Sequence, residues 1–309
     1  MTTALIAPQQ VTLEHLIGLV VDSVTSPESK RSYRKGLGDF LAWWSESEPR
    51  PAFTKATVQA YRAHLEERGL SPSTINVRMA AIRKLAVEAA DNGLMDPQLA
   101  AGIARVKGAK QAGVRTGNWL TRDQAEDLLN APDPSTLKGK RDRAMLAVLL
   151  GCGLRRKEAA TLDVAHIQQR EGRWVIVDLV GKGARVRTVP MPSWAKATID
   201  AWTTAAGIDS GRIFRAMNKG DRITGESMTP QSIFEAVRYY ADAAGVQAAP
   251  HDLRRTFAKL AHKGQAALEQ IQLSLGHASI QTTERYLGVK QDLTDAPCGH
   301  LGLRVEVSA

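Results

Sequence analysis

Apolar side chains recur every three or four positions through roughly the first hundred residues, which is the spacing of one face of a helix. The first stripe consists of Val11, Leu13, Leu16, Ile17, Val20 and Val24. Ser26-Pro27 and Ser71-Pro72 each place a capping serine before a proline that suits a first helical turn. Gly69 ends the helix predicted over residues 55–68. We therefore predict a helical domain over residues 11–104.

Past residue 118 the pattern becomes mixed. A capping box at Thr121–Gln124 predicts the start of a short helix, and an apolar helix follows through Leu150. Two runs rich in β-branched residues, Trp174–Val180 and Arg185–Val189, predict a pair of strands joined by a glycine-flanked turn. The chain is therefore predicted to be mainly α with a small antiparallel β-sheet. Its helical domain is followed by a mixed α+β domain over residues 119–309.

The segment between these two domains, residues 105–118, is basic. It contains Lys107, Lys110 and Arg115 together with three glycines, and it has no acidic residue. A linker that only joined two domains would not need this uncompensated charge, whereas one that follows a phosphate backbone would. We therefore predict a flexible linker whose cations contact DNA.

Composition narrows the class of partner and the compartment. The 309 residues carry 41 Lys and Arg against 32 Asp and Glu, and a net charge of +9 favours nucleic acid or an anionic membrane surface. No apolar run approaches the ~18 residues of a membrane span, and the N-terminus lacks the pattern of a signal peptide. Two distant cysteines, Cys152 and Cys298, indicate a reducing interior. We expect a cytoplasmic protein.

The fourth predicted helix carries Arg78, Arg83 and Lys84 on the side away from its apolar residues. These cations are either DNA contacts or the charged face of a solvated helix, and the pattern leaves both interpretations open. The aromatic residues of this domain fall at core spacing, so they are predicted to pack inside it rather than to stack on bases.

The richest candidate chemistry lies between residues 251 and 286. His251 and Arg254 are three residues apart on one face of a helix whose first turn contains Pro250, so both lie near a positive helix end. His277 follows a glycine, and Tyr286 comes nine residues later. Arginine binds phosphate oxygens, histidine moves or donates a proton, and tyrosine offers an oxygen nucleophile. Taken singly, each is more often an ordinary surface or core residue, but the set indicates phosphoryl transfer.

Two upstream motifs supply further candidates. Arg155 occurs in Gly-Leu-Arg-x-x-Glu, where Glu158 is placed on a helix to orient the guanidinium. Lys182 occurs in Gly-Lys-Gly at the turn between the two predicted strands, where an isolated lysine would ordinarily be a solvated hairpin tip.

In this order, the motifs at Arg155, Lys182, His251-x-x-Arg254, Leu-Gly-His277 and Tyr286 resemble those of the tyrosine recombinases, or phage integrase family. The resemblance covers nearly the whole chain, including the segment 73–76, and is greatest to compact two-domain Xer proteins and integrases of mobile elements. Arg255 departs from the histidine that Xer-like members often carry, and Arg185 from a frequent lysine. Neither is a catalytic position in the family, so only the subfamily is affected.

The resemblance implies a helical core-binding domain and a catalytic domain that close around duplex DNA, with dimers on a site and tetramers in the synapse. It implies that Tyr286 forms a 3′-phosphotyrosyl link, Arg155 and Arg254 clamp the phosphate, and Lys182 acts as general acid. It further implies that His251 assists proton transfer, His277 binds the phosphate, and Glu158 supports Arg155. No metal, ATP or other cofactor is expected. The expected localisation is cytoplasmic and nucleoid-associated.

Residues 287–309 form a predicted tail whose alternating apolar residues, from Leu301 to Val307, indicate a strand. The strand either folds back on its own domain or adds to a neighbouring protomer, as tails of the resembling family commonly do; we favour docking in trans.

Three other functions remain open at this point. A type IB topoisomerase uses similar chemistry to relax supercoils. A DNA-binding regulator could be built on a recombinase scaffold, although all six catalytic positions are intact. A plain basic binding protein would leave the ordered motifs unexplained. The target sequence, and whether the reaction serves integration, excision, resolution or inversion, are not encoded in any pattern we recognise.

Overall fold

The computed structural model describes residues 12–110, 118–181 and 185–288, and the chain divides into two compact units, 1–113 and 114–309. The first unit is helical throughout its described part. Its helices are α1 (Leu13–Asp22), α2 (Pro27–Glu46), α3 (Lys55–Glu67), α4 (Pro72–Asp91) and α5 (Pro97–Ala104).

The helices of the first unit begin where the sequence places capping residues. The side chain of Ser26 accepts a hydrogen bond from the backbone N–H of Ser29, and Ser71 caps α4 in the same way. Helix α3 ends one residue before the predicted position, and Gly69 follows it with a φ of +68°. The predicted capping serines are therefore confirmed.

An aromatic cluster forms the core of the first unit. Phe40 is fully buried on α2, and its ring meets the edge of the Tyr61 ring at a centroid distance of 5.1 Å. The rings of Trp44 and Phe53 also pack against the Phe40 ring, at centroid distances of 6.2 and 5.5 Å. Such offset and edge-on pairs stabilise a core beyond the area they bury. The prediction that these aromatic residues are core residues is confirmed.

Arg78 lies between α4 and α2, and the expectation that it points outward is wrong. It is only 8% exposed, and its Nη2 lies 2.6 Å from Oδ2 of Asp39 on α2. The close approach is possible because Gly36 faces it: a Cβ at Gly36 would lie 3.2 Å from Cγ of Arg78. Helical spacing alone placed the residue outside, since it could not show that an acid on a neighbouring helix draws it in.

The first six residues of the predicted linker are anchored to the first unit rather than flexible. Val106 is buried, and its carbonyl accepts a hydrogen bond from Nη1 of Arg83 at 3.3 Å. The carbonyl of Ala109 accepts one from the side chain of Asn76 at 3.1 Å. The side chains of Lys107 and Lys110 remain exposed, and residues 111–117, including Arg115, lie outside the described residues.

The second unit combines helices with two small antiparallel sheets. Its helices are α6 (Arg122–Asn130), α7 (Leu137–Gly151), α8 (Arg156–Ala160), α9 (Ser193–Ala206), α10 (Pro230–Ala243), α11 (Pro250–Lys263), α12 (Leu268–Leu275) and α13 (Ile280–Leu287). Its strands are β1 (Ile167–Arg170), β2 (Arg173–Val180), β3 (Val186–Pro190), β4 (Ala216–Met217) and β5 (Ile223–Gly225). Strand β2 is central and pairs with β1 and β3, with Ile176 opposite Ile167 and Val189; β4 pairs with β5.

Helix α7 runs through the core of the second unit, where every residue from Ala144 to Leu150 is buried. It packs against α9 and α11, and the fully buried indole of Trp202 on α9 donates a hydrogen bond to the carbonyl of Ile213 at 2.8 Å. The predicted fold class, mainly α with small antiparallel sheets, is confirmed. Among the described helices, none has the length and apolar character required to cross a membrane.

The ion pair between Arg78 and Asp39 predicts a stability effect. Replacing Arg78 by Met keeps the buried aliphatic volume but removes a charged hydrogen-bonding partner, so the free energy of unfolding should fall by roughly 1–3 kcal/mol. Lys35→Met is the matched control, because Lys35 approaches the same carboxylate from an exposed position; its effect should stay below about 1 kcal/mol. Urea unfolding followed by tryptophan fluorescence measures both, and equal effects would contradict the structural role of Arg78.

Candidate active site

Four segments of the second unit bring the described sequence-predicted residues to the candidate site. They are the residue before α8, the first turns of α11, the connection between α12 and α13, and the last turn of α13. They carry, in that order, Arg155, His251 with Arg254, His277, and Tyr286. The structure therefore brings together side chains that lie more than a hundred residues apart in the chain.

Glu158 holds Arg155 through both main chain and side chain. Arg155 is the residue that precedes α8, so it does not share a helical face with Glu158 as the sequence predicted. Instead, Oε2 of Glu158 accepts the backbone N–H of Arg155, and Oε1 accepts Nη1 of its guanidinium, both at 2.8 Å. One carboxylate thus fixes the start of the helix and the direction of the arginine.

Arg187 on β3 is a site residue that the sequence analysis missed. Its Nη1 and Nη2 donate to Oε1 and Oε2 of Glu158 at 2.9 and 2.8 Å, a two-pronged pair of the kind that arginine forms with carboxylates. Its Nε donates to the carbonyl of Ser274 at 2.9 Å, and its side chain is only 9% exposed. The sequence signal that could have found it is strand alternation, which places Arg187 on the same face of β3 as the buried Val189.

These contacts keep Glu158 ionised although it is buried. Burial would raise the pKa of the carboxyl, but the hydrogen bonds from Arg187 and Arg155 outweigh it and lower the pKa to about 2. A buried carboxylate with two guanidinium partners is a permanent anion at physiological pH, and it anchors β3 to α8.

Arg254 is directed at the same place from α11. It is 1% exposed, its Nη1 donates to the carbonyl of Gly153 at 2.5 Å, and its Nη2 donates to the carbonyl of Leu275. Burial and the nearby charge of Arg155 lower the pKa of Arg254 to about 9, so it remains a cation at neutral pH. Two of its N–H groups are occupied by these carbonyls, and a guanidinium has five.

The C-terminal end of α12 collects three arginines. The carbonyl of Leu275 accepts from Arg254 and, at 3.5 Å, from Nη2 of Arg155, while Arg187 binds the preceding carbonyl. Helix C-terminal ends are negative, so they favour cations. Gly276 makes the geometry possible: its φ is +61°, and a Cβ there would lie 2.9 Å from Cδ of Arg187.

His277 is neutral and held by a buried threonine. Burial and the charge of Arg254 lower the pKa of His277 to about 4. Its Nδ1 lies 3.0 Å from Oγ1 of Thr283, which is fully buried. If the hydroxyl donates, Nδ1 is the acceptor and Nε2 carries the proton. Thr283 was not a sequence candidate, and its one available signal was a polar residue on the apolar face of α13.

Tyr286 stands between the two histidines. Its ring meets the ring of His251 edge-on at a centroid distance of 5.5 Å and the ring of His277 at 5.2 Å. Its hydroxyl donates to the main-chain carbonyl of His251 at 3.3 Å. Burial raises the pKa of Tyr286, with the positive charge of Arg254 acting in the opposite direction. Burial and the charge of Arg255 lower the pKa of His251, which favours its neutral form.

The remaining predicted site residues lie elsewhere. Lys182 lies outside the described residues, but Gly181 just before it is beside the site: a Cβ there would lie 3.5 Å from Nη1 of Arg155. In the first unit, Lys84 lies 3.9 Å from Glu88, and the partly buried Arg83 also donates to the carbonyl of Met79. The predicted tail beyond Gly288 is likewise outside the described part of the chain, so its strand stays a prediction.

No group of three or more His, Cys, Asp or Glu side chains within residues 12–110, 118–181 and 185–288 is arranged to hold a metal ion.

Known proteins resemble this chain in sequence and in fold. Residues 118–292 match the Phage integrase family, and residues 14–93 match the Phage integrase, N-terminal SAM-like domain. The chain is 30% identical over 276 residues to tyrosine recombinase XerD of Vibrio cholerae, covering 84% of each protein.

Two solved structures with the same fold are complexes with DNA. The chain resembles XerH site-specific recombinase bound to palindromic difH substrate in a post-cleavage complex, with a TM-score of 0.72, 19% identity and coverage of 90% of this chain and 81% of that one. It also resembles a lambda integrase dimer bound to a COC′ core site, with a TM-score of 0.68, 15% identity and coverage of 96% and 79%. At these identities the likeness establishes the fold.

The low pKa of Glu158 predicts how stability depends on pH. Its folded value of about 2 lies below its ordinary value of 4.5, so the stabilisation is complete above pH 4.5 and is lost as pH falls towards 2. Glu158→Gln should lower the free energy of unfolding by about 3 kcal/mol at neutral pH, because the buried guanidinium of Arg187 and the partly buried one of Arg155 lose their anion. The difference from the native protein should shrink at pH 3.

Urea unfolding at pH 7, 5 and 3 measures this difference. Glu235→Gln on α10 is the control, since Glu235 is exposed and bonds only an exposed glutamine side chain; it should change stability by less than about 0.5 kcal/mol at each pH. A Glu158→Gln effect that is the same at all three values would show that the carboxylate charge is not what stabilises the site.

Proposed function

This chain belongs to the phage integrase family, and from that membership and the geometry of the site we propose that it cuts and rejoins duplex DNA through a 3′-phosphotyrosyl intermediate. As a tyrosine-type site-specific recombinase it joins strands at a defined DNA site. One observation carries the mechanism: Arg155, Arg254, His251 and His277 converge around Tyr286.

The nucleophile is the hydroxyl oxygen of Tyr286. It attacks the scissile phosphorus, forming a P–O bond to tyrosine while the bond from phosphorus to the 5′-oxygen breaks. The tyrosine proton passes to His251, whose lowered pKa makes it a neutral acceptor at physiological pH. The departing 5′-oxygen takes its proton from Lys182. The phosphotyrosyl bond replaces the phosphodiester, so the reverse attack by a 5′-hydroxyl reseals the strand without an external energy source.

The two arginines stabilise the charge that develops on the non-bridging oxygens. Arg155 and Arg254 reach the same carbonyl of Leu275, so their guanidinium groups lie side by side. Donors that are fixed before the reaction stabilise a transition state without the cost of reorganisation, and removing one such donor typically slows a reaction about 10²–10³-fold. His277 adds a neutral donor through Nε2 in the tautomer in which Nδ1 accepts the hydroxyl of Thr283.

The partner is double-stranded DNA with a specific site. Recombinases that share this fold are described as bound to such sites, and one is a dimer on its core site. We propose a dimer on each site and a tetramer in the synapse, with residues 11–104 as the core-binding domain and 119–309 as the catalytic domain. Cations of the first unit and the segment after it contact DNA phosphates: Arg83, Lys84, Lys107, Lys110 and Arg115.

The first test addresses the nucleophile. Tyr286→Phe removes one hydroxyl, which among the described residues donates to a main-chain carbonyl, so folding and DNA affinity should be unchanged. Covalent attachment should be lost. The measurement uses a randomised library of nicked duplexes, from which cleaved strands diffuse away and trap the protein–DNA link.

The control is Tyr239→Phe, which removes the hydroxyl of an exposed tyrosine on α10 and should leave trapping unchanged. Sequencing the trapped DNA identifies the site. A phosphotyrosyl link formed by the Tyr286→Phe variant would refute the assignment, as would the absence of any link in the native protein.

A second test addresses the general acid. Lys182→Ala should slow cleavage of an ordinary 5′-oxygen by roughly 10²–10⁴-fold, the usual range for a general acid. Cleavage of a 5′-bridging phosphorothiolate should be nearly unaffected, because the sulfur leaving group scarcely needs a proton. Arg185→Ala is the control, because it also removes a positive charge from the connection between β2 and β3. It should change the cleavage rate of both substrates equally. Equal loss on both substrates with Lys182→Ala would mean that the lysine only binds DNA.

A further inference from the structure

Arg255 lies against the proposed nucleophile. Its guanidinium carbon is 4.8 Å from the centroid of the Tyr286 ring, within the distance at which a cation is attracted by an aromatic face. The side chain is 12% exposed, so solvent screens this contact only weakly. By sequence it follows Arg254 directly and is expected to be a mere subfamily difference; the structure places it in contact with the reacting side chain.

The guanidinium has two contacts through Nη1. Nη1 lies 3.6 Å from Oδ1 of Asp252, one turn earlier on α11, and 3.5 Å from the carbonyl of Asn118, which precedes α6. Leu120, two residues further on, is tied to α11 by its backbone N–H, which donates to Thr256 at 2.9 Å. Arg255 therefore contacts both α11 and the segment leading into α6.

We propose that Arg255 is a positioning residue for the nucleophile: its guanidinium holds the face of the Tyr286 ring and stabilises the negative charge that the ring acquires as its hydroxyl gives up its proton. The proposal rests on the proposed function, in which Tyr286 is the nucleophile. A cation above the ring contributes more as the phenol becomes phenolate, because the charge spreads into the ring. The attraction is thus stronger at the transition state than in the resting enzyme.

The charges around Tyr286 leave room for this contribution. Within residues 118–181 and 185–288, the titratable and charged groups that face it come from three segments: Arg155 before α8; His251, Asp252, Arg254 and Arg255 on α11; and His277 between α12 and α13. Burial raises the pKa of Tyr286, Arg254 and Arg255 act to lower it, and Asp252 acts to raise it. Arg254 is committed to main-chain carbonyls and to phosphate, so Arg255 is the cation that packs on the ring itself.

The planar shape of the Arg255 guanidinium suits its contact with the face of the Tyr286 ring. A guanidinium can lie on an aromatic face while its edge donates hydrogen bonds, whereas an ammonium group is a compact and more strongly hydrated charge. Lys259, one turn later on α11, provides an internal comparison: its ammonium lies 4.6 Å from the centroid of the Trp119 ring, away from the tyrosine. The same helix thus carries two cation–ring pairs, of which only one includes the nucleophile.

The test reads Tyr286 directly in the full-length protein without DNA. Tyrosine labelled with ¹³C at Cζ reports ionisation by its chemical shift, and Tyr286→Phe assigns the signal among the five tyrosines. Arg255→Met keeps the buried length but removes the charge, so the titration of Tyr286 should move to higher pH. Arg255→Lys should restore part of the change, and Lys259→Met, the matched control, should leave it where it is.

The second readout is the rate at which the covalent complex forms on the trapped site. With Arg255→Met the rate should fall by roughly two- to tenfold, and its alkaline limb should move to higher pH with the Tyr286 titration. An unchanged Tyr286 titration with Arg255→Met overturns the proposal. If that variant does not fold, Arg255→His serves instead: its imidazole is neutral above roughly pH 7, so Tyr286 should again titrate at higher pH than in the native protein.

The two proposals fail in different ways. Loss of the proposed function would appear as a native protein that forms no covalent complex, and the titration of Tyr286 is measured without DNA. Failure of the inference about Arg255 would appear as normal formation of the covalent complex, with a Tyr286 titration that does not change in the Arg255→Met variant.

Discussion

The active site depends on one buried carboxylate. Glu158 binds Arg187 with both oxygens and Arg155 through its main chain and its guanidinium, so a strand and the start of a helix meet at a single anion. Burying a guanidinium group costs free energy unless the group is paired with an anion. Here both oxygens of the Glu158 carboxylate accept hydrogen bonds from these arginines. Without it, Arg155 would have no reason to remain directed towards the end of α12.

The end of α12 supplies the second half of the arrangement. A carboxylate can fix Arg155 and Arg187, but Arg254 reaches the site from another helix and is fixed by carbonyls, including that of Leu275. Because Gly276 turns the chain away at a positive φ, the last carbonyls of α12 stay available to these cations. His277 follows directly after this turn, so one helix end contacts three arginines and positions a histidine.

The parts that could be predicted from sequence are those set by local chemistry. Capping serines and prolines locate helix starts, and the order of the motifs identifies Arg155, Arg254 and Tyr286 as one set. What could not be predicted depends on partners from distant segments. Arg78 was predicted to point outward and Arg187 was not a candidate, because the sequence does not show which carboxylate from another element lies next to each of them. The relation of Arg155 to Glu158 was predicted with the wrong geometry, because spacing of three cannot distinguish a residue inside a helix from one that caps it.

The balance of charge explains why this site should bind a phosphodiester. Within the described part of the site, four guanidinium groups face two carboxylates, and the two histidines are held towards their neutral forms. The guanidinium groups are those of Arg155, Arg187, Arg254 and Arg255, and the carboxylates are those of Glu158 and Asp252.

Burial lowers the pKa of Arg254, and the nearby positive charge of Arg155 lowers it further. A phosphate anion between Arg155 and Arg254 would relieve that repulsion and accept the N–H groups that carbonyls do not occupy. The same excess would repel a free metal cation. The charge arrangement is therefore least stable when the site is empty and most stable around the phosphate group that the protein is proposed to cut.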